Sequence, residues 1–125
     1  MDAYRQLEVE YAKHLDVSKC VSVNTGTAAL HVALEALQLP EGSKVIVPDF
    51  TMYASALAVY YARLTPIFVD CDEDLLIDLD AVEKVIDENT KVLMITHIYG
   101  RVVDMDRVMN QIAKLKDKVR ANGSH

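Results

Sequence analysis

Lys44-Val45-Ile46-Val47-Pro48 is followed by an alanine-rich run over 51–63 and then by Pro66-Ile67-Phe68-Val69. The two short, β-branched runs read as strands, and the run between them has the length and composition of a helix. Two strands joined through a helix pair in parallel, because a parallel connection needs a crossover of about a dozen residues. The crossover is expected to be right-handed.

The same alternation extends in both directions. Upstream, Cys20-Val21-Ser22-Val23 reads as a first strand and 27–39 as a helix with apolar residues on most of its surface, closed by Pro40-Glu41-Gly42-Ser43. Before them, Tyr4, Leu7, Tyr11 and Leu15 recur at helical spacing, with Asp2 placed to cap. Downstream comes an acidic loop at Asp70, Asp72, Glu73 and Asp74. A helix over 79–88 follows, capped by Asp78 or Asp80, and then a nearly continuous apolar run over 91–98 of the kind buried on both faces. Asp104 opens a last helix with Met105, Val108, Ile112 and Leu115 on one side. The expectation is an α/β fold: a parallel-stranded sheet in three layers, with helices on both faces and strands near 20–23, 44–47, 66–69 and 91–97. Residues 1–113 form the domain, and 114–125 read as a charged tail or remnant.

Composition narrows the function. The chain has 125 residues, 51% hydrophobic and 26% charged, which suits one core and excludes disorder. The longest uncharged apolar run, 52–62, is far shorter than the roughly 20 residues of a membrane span. With no basic segment leading into an apolar one, the cytoplasm is the expected location. Thirteen basic residues against nineteen acidic give a charge of −6, which argues against nucleic acid or an anionic membrane as partner. Cys20 and Cys71 are too few for a disulfide scaffold and lack metal-ligand spacing, so no metal is expected.

In such a sheet, ligands bind beyond the carboxyl ends of the strands. Four segments fall there: Asn24-Thr25-Gly26-Thr27, Asp49-Phe50-Thr51, Asp70-Cys71-Asp72 and His97-Ile98-Tyr99-Gly100. In the first, a glycine turns the chain into a helix that begins with small residues. Its free N–H groups and two threonine hydroxyls can cradle a phosphate, although spacing alone favours a capped helix packed close to a sheet. Asp70 and Asp72 can bind a metal or accept a phosphoryl group, or simply line a solvated loop. His97 can contact a ligand or serve structurally. Cys71, among carboxylates, is expected to hold its proton and make a poor nucleophile.

Taken together, these segments resemble a known family. Thr25-Gly26-Thr27-Ala28-Ala29-Leu30, Glu41 through Thr51, Ala54-Ser55-Ala56, Pro66 through Asp70, Asn89-Thr90-Lys91, His97-Ile98-Tyr99-Gly100 and Asp104-Met105-Asp106 occur in the order and spacing of the DegT-type sugar nucleotide aminotransferases. These are pyridoxal 5'-phosphate enzymes of the aspartate aminotransferase superfamily, fold type I. The resemblance spans about 4–113. It implies a partial fold type I large domain whose cofactor phosphate rests on Thr25, Gly26 and Thr27, with Ser55 also at the cofactor. The family's ring-stacking aromatic position is Met52 here, and Thr25 replaces the usual serine. The implied reaction moves an amino group from glutamate to a nucleotide-linked keto-sugar, in a protein that forms a homodimer or otherwise self-associates.

The family's chains are about three times longer. Their cofactor-bearing lysine and the aspartate that pairs with the pyridine nitrogen lie beyond the matched region, so the resemblance assigns no catalytic residue here and implies an inactive N-terminal fragment. Two rival readings come from other classes. One is a phosphoacceptor receiver domain using Asp70, which lacks the acidic pair expected after the first strand. The other is a non-catalytic interaction module.

Overall fold

The computed structural model describes residues 2–121. In chain order the elements are α1 (Ala3–Leu15), α2 (Gly26–Ala36), β1 (Lys44–Pro48), α3 (Ala54–Tyr61), β2 (Thr65–Val69), α4 (Leu79–Val85), β3 (Thr90–Leu93) and α5 (Met105–Ala121). The three strands form one parallel sheet in the order β2-β1-β3.

Side-chain alternation along β1 builds two cores. Val45 and Val47 face α2 and α3, where they pack with Leu34, Ala58, Val59, Leu64 and Met94. Ile46 faces the other way, into Val69, Ile77, Leu79, Val82, Val103 and Val108, which brings in α4 and α5. All three β1 side chains are fully buried. The sheet is therefore the middle of three layers, as the alternating pattern implies.

Two strand expectations need correction. Cys20-Val21-Ser22-Val23 is not a strand. Both edges of β1 are taken by β2 and β3, and the segment joins neither outer strand. It is tied to α1 instead: the Ser22 backbone N–H and hydroxyl both donate to Glu8 Oε1, at 2.7 Å each. Val21 is left 70% exposed. The last strand is also shorter than its apolar run. Met94 N–H still donates to Ile46 O at 2.9 Å, but the next donor from β1 would be the N–H of residue 48, which is proline. The ladder stops there, and 94–98 continue as irregular chain.

Local signals fix most helix ends. The Asp78 side chain accepts from Asp80 and Ala81 N–H, which selects it over Asp80 as the α4 cap. Asp104 Oδ1 accepts from Arg107 N–H at 3.0 Å at the start of α5. Asp2 holds the cap position of α1 without a side-chain bond. Helix α5 runs to Ala121, so the charged segment after 113 is helical up to there; 122–125 lie outside the described residues. No helix among the described residues is long and apolar enough to cross a membrane.

The amino-terminal edge of the sheet is closed by an ion pair between Lys44 and Asp87, beside a bond from Lys44 N–H to Asn89 O at 2.9 Å. The Lys44 ammonium holds the Asp87 carboxyl below its usual range; the Asn89 N–H and Thr90 hydroxyl add to this, against a smaller opposing effect of burial. A depressed folded-state value contributes stability above the unfolded value of about 4, and that contribution is lost as the pH falls through the folded value. Both side chains are about a third exposed, so the contribution is at most about 1 kcal/mol. Asp87→Asn should therefore lower the melting midpoint slightly at pH 7 and leave it unchanged near pH 2, as read from paired thermal melts. An equal loss at both values would refute the assignment.

Candidate functional site

The loops after β1 and β3 leave the sheet side by side at its carboxyl edge and enclose a cleft of about 540 Å³. Asp49, Phe50, Thr51 and Met52 line one side; Thr96, His97, Ile98 and Tyr99 line the other. The first loop is pinned to the sheet by Asp49 N–H donating to Val69 O at 2.9 Å. It is joined to the second by Thr51 Oγ1 donating to Thr96 Oγ1 at 3.4 Å.

The second loop owes its shape to a tight turn. Tyr99 and Gly100 both have positive φ, 54° and 74°, and Arg101 N–H donates to Ile98 O at 2.9 Å. Those are the requirements of a type I′ turn, and glycine meets them at the second position without strain. The turn holds the Tyr99 ring against Phe50, with centroids 6.3 Å apart and planes tilted by 58°. Phe50, Met52 and Tyr99 are 44%, 71% and 75% exposed, so the mouth of the cleft presents unusually bare apolar surface.

Of the site residues expected from sequence, Met52 lines this cleft. Thr25, Gly26 and Thr27 lie outside its lining, at the start of α2. There Thr25 is the cap: its Oγ1 accepts from Ala28 N–H at 3.0 Å, leaving its own proton free to donate. The N–H groups of Gly26 and Thr27, in the first turn, have no intrahelical acceptor. A side chain built on Gly26 would meet nothing within 4 Å, so open space adjoins these donors. Ser55 is buried in the first turn of α3 and does not line the cleft.

In the acidic loop after β2, Asp72 has a structural role. Asp72 Oδ1 accepts from the N–H groups of Asp74 and Leu76, at 2.8 and 3.2 Å, and caps the turn around Leu75. Among the described residues no cluster of acids, histidines and cysteines could hold a metal. Burial pushes the Cys71 thiol up, the Phe50 backbone N–H pulls it partly back, and the carboxylates of Asp49 and Asp72 raise it further, which makes it a poor nucleophile.

Sequence reasoning placed Asp49, Phe50 and Tyr99 at the right edge of the sheet without singling them out, and it missed Thr96. The available signal was positional: two loops leaving adjacent parallel strands at the same edge must share a cleft.

Comparison with known proteins agrees with this architecture. Residues 2–119 match the model of the DegT/DnrJ/EryC1/StrS aminotransferase family. GDP-perosamine synthase of Escherichia coli O157:H7 is 39% identical over 114 residues, which cover 90% of this chain and 31% of that protein. L-glutamine:2-deoxy-scyllo-inosose aminotransferase of Streptomyces kanamyceticus is 35% identical over 128 residues, covering 98% and 30%. Among solved structures, the PLP form of the sugar aminotransferase Spr1654 from Streptococcus pneumoniae superposes with a TM-score of 0.87 at 33% identity, covering 94% of this chain and 30% of that one. The chain thus spans about a third of the length of the relatives it matches. The fold is that of the fold type I aminotransferases, and the chain belongs to the DegT/DnrJ/EryC1/StrS aminotransferase family.

Proposed function

We propose that this chain is the N-terminal part of a pyridoxal 5'-phosphate-dependent aminotransferase that moves an amino group from glutamate to a nucleotide-linked keto-sugar. The capped, unobstructed start of α2 is the observation that carries this reading. Two N–H groups, a free threonine proton on Thr25 and the Thr27 hydroxyl suit a phosphate, and the helix dipole favours its charge. Met52 covers one face of a flat ring by its thioether, a softer contact than an aromatic one. Ser55, buried in the first turn of α3, braces the loop that carries Met52: its N–H donates to Met52 O at 3.1 Å. When bound, the cofactor supplies the electron sink for amino transfer.

The glutamate donor is supported only by the family resemblance, and one relative is named for glutamine. The keto-sugar acceptor is supported by relatives named for perosamine and inosose chemistry. A homodimer or other self-association belongs to the same proposal. Tyr4, Leu7, Tyr11 and Leu15, the whole apolar stripe of α1, are each more than half exposed, which fits a face that something covers. That stripe also favours the second reading, a non-catalytic interaction module. The cytoplasm is the proposed location, with both cysteines unpaired in keeping with a reducing compartment.

The test is anion binding at α2. Gly26→Val fills the open space with a branched side chain and should weaken inorganic phosphate and pyridoxal 5'-phosphate at least tenfold. Its melting temperature should barely move, because a Cβ at this position meets no atom within 4 Å. Unchanged affinity for both anions would remove the site. Wild-type chain that binds neither anion would favour the interaction module.

A further inference from the structure

His97 is the chemistry-bearing group of the cleft that the proposed function leaves unused. Its ring is not free to choose a tautomer. The backbone N–H of Val103 donates to His97 Nδ1 at 3.0 Å, so that nitrogen presents a lone pair. Val103 is 4% exposed, and its N–H would lose its acceptor if Nδ1 took a proton. The neutral imidazole must therefore carry its hydrogen on Nε2. The type I′ turn at Tyr99-Gly100 makes this possible by folding 101–103 back toward residue 97.

The surroundings indicate what this donor would meet. Phe50, Met52 and Tyr99 give the cleft apolar walls suited to a flat ring, and the Thr51 and Thr96 hydroxyls are already joined to each other. Asp49, the one carboxylate among the described lining residues, stands beside the Cys71 thiol.

We propose that His97 is a ligand-binding residue: a neutral imidazole, locked as the Nε2–H tautomer by Val103, that donates to an acceptor oxygen borne by a planar aromatic ligand in the cleft. The inference rests on the cofactor reading for the ligand's identity, and pyridoxal 5'-phosphate is the probe. Such a donor would orient the ring in its own plane, while Met52, across the cleft from His97, covers its face.

Two variants separate the functions of the two ring nitrogens. His97→Asn keeps an acceptor for the Val103 N–H and loses the distal donor. His97→Gln places an amide donor near the Nε2 position. Long-range ¹H–¹⁵N spectra of the full chain should show His97 Nδ1 unprotonated and Nε2 protonated. His97→Asn should bind pyridoxal 5'-phosphate about tenfold more weakly while binding inorganic phosphate as the wild type does; His97→Gln should recover most of the loss. Wild-type affinity for pyridoxal 5'-phosphate in His97→Asn, or a proton found on Nδ1, overturns the role of His97 and leaves the cofactor reading standing. Failure of the wild-type chain to bind pyridoxal 5'-phosphate overturns the cofactor reading and, with it, the ligand assigned to His97. Equal weakening toward both probes would mean that the substitution disturbs the loop, and would count against a specific donor.

Discussion

Ile46→Asp should leave the chain unfolded at room temperature, while Val21→Asp should change its stability by no more than about 0.5 kcal/mol. Ile46 is fully buried on the α4–α5 side of the sheet, in an apolar cluster with Val69, Ile77, Leu79, Val82, Val103 and Val108. An isolated carboxylate there loses its hydration and gains no partner, and the aliphatic contacts of isoleucine go too. Truncation alone, Ile46→Ala, costs about 2–5 kcal/mol. A domain of this size has only about 5–15 kcal/mol in total. Adding the desolvation of a charge exceeds what remains. Val21 belongs to the segment that also looks like a strand, yet it is 70% exposed and unpaired in any ladder. Circular dichroism and urea titration of the two variants read the contrast directly. A folded Ile46→Asp chain, or an unfolded Val21→Asp chain, would mean that the sheet has been assigned to the wrong residues.

The contrast also shows how far composition and period carry. Val45-Ile46-Val47 and Cys20-Val21-Ser22-Val23 are similar as local strings, and each has β-branched residues and suitable length. A strand, however, is defined by its neighbours, and local pattern does not say whether a neighbour exists. The flanking Pro48 held a usable clue: it removes the donor that would continue β3, so the apolar run over 91–98 could not all be ladder. The helices were more legible because their caps are local. Asp78, Asp104 and Thr25 each mark a start through a side-chain bond that spans two or three residues. For α1 the period was legible in the sequence and the surroundings of its apolar face were not. Tyr4, Leu7, Tyr11 and Leu15 do share a face, but that face is exposed, and hydrophobic spacing carries no information about what covers it. The cleft was legible as an edge of the sheet, whereas its Tyr99–Phe50 wall depends on two positive φ angles that only the folded turn reveals.

The isolated chain should release no 2-oxoglutarate from glutamate in the presence of pyridoxal 5'-phosphate beyond the rate of the free cofactor. Amino transfer needs a lysine amine that reaches the cofactor's carbonyl and a carboxylate against the pyridine nitrogen. Among the described residues, no lysine lines the cleft. Lys44 begins β1 and pairs with Asp87 at the opposite edge of the sheet; about 16 Å of strand separates it from Asp49. Lys91 donates to Glu88 O at 2.9 Å on that same edge. Lys13, Lys84, Lys114 and Lys116 lie on helices α1, α4 and α5 in positions exposed to water, and Lys19 is exposed ahead of Cys20. Lys118 falls on the last turns of α5. Among the described residues the only carboxylate in the lining is Asp49, which adjoins the Cys71 thiol and would have to leave it to reach a ring nitrogen. Even a well-held phosphate therefore leaves the reactive carbon without a nucleophile. Purified chain, pyridoxal 5'-phosphate and glutamate, followed by coupled detection of 2-oxoglutarate, provide the measurement. Turnover that disappears in Gly26→Val would keep the phosphate site and refute the claim that this segment lacks its catalytic lysine. Turnover that survives Gly26→Val would refute both.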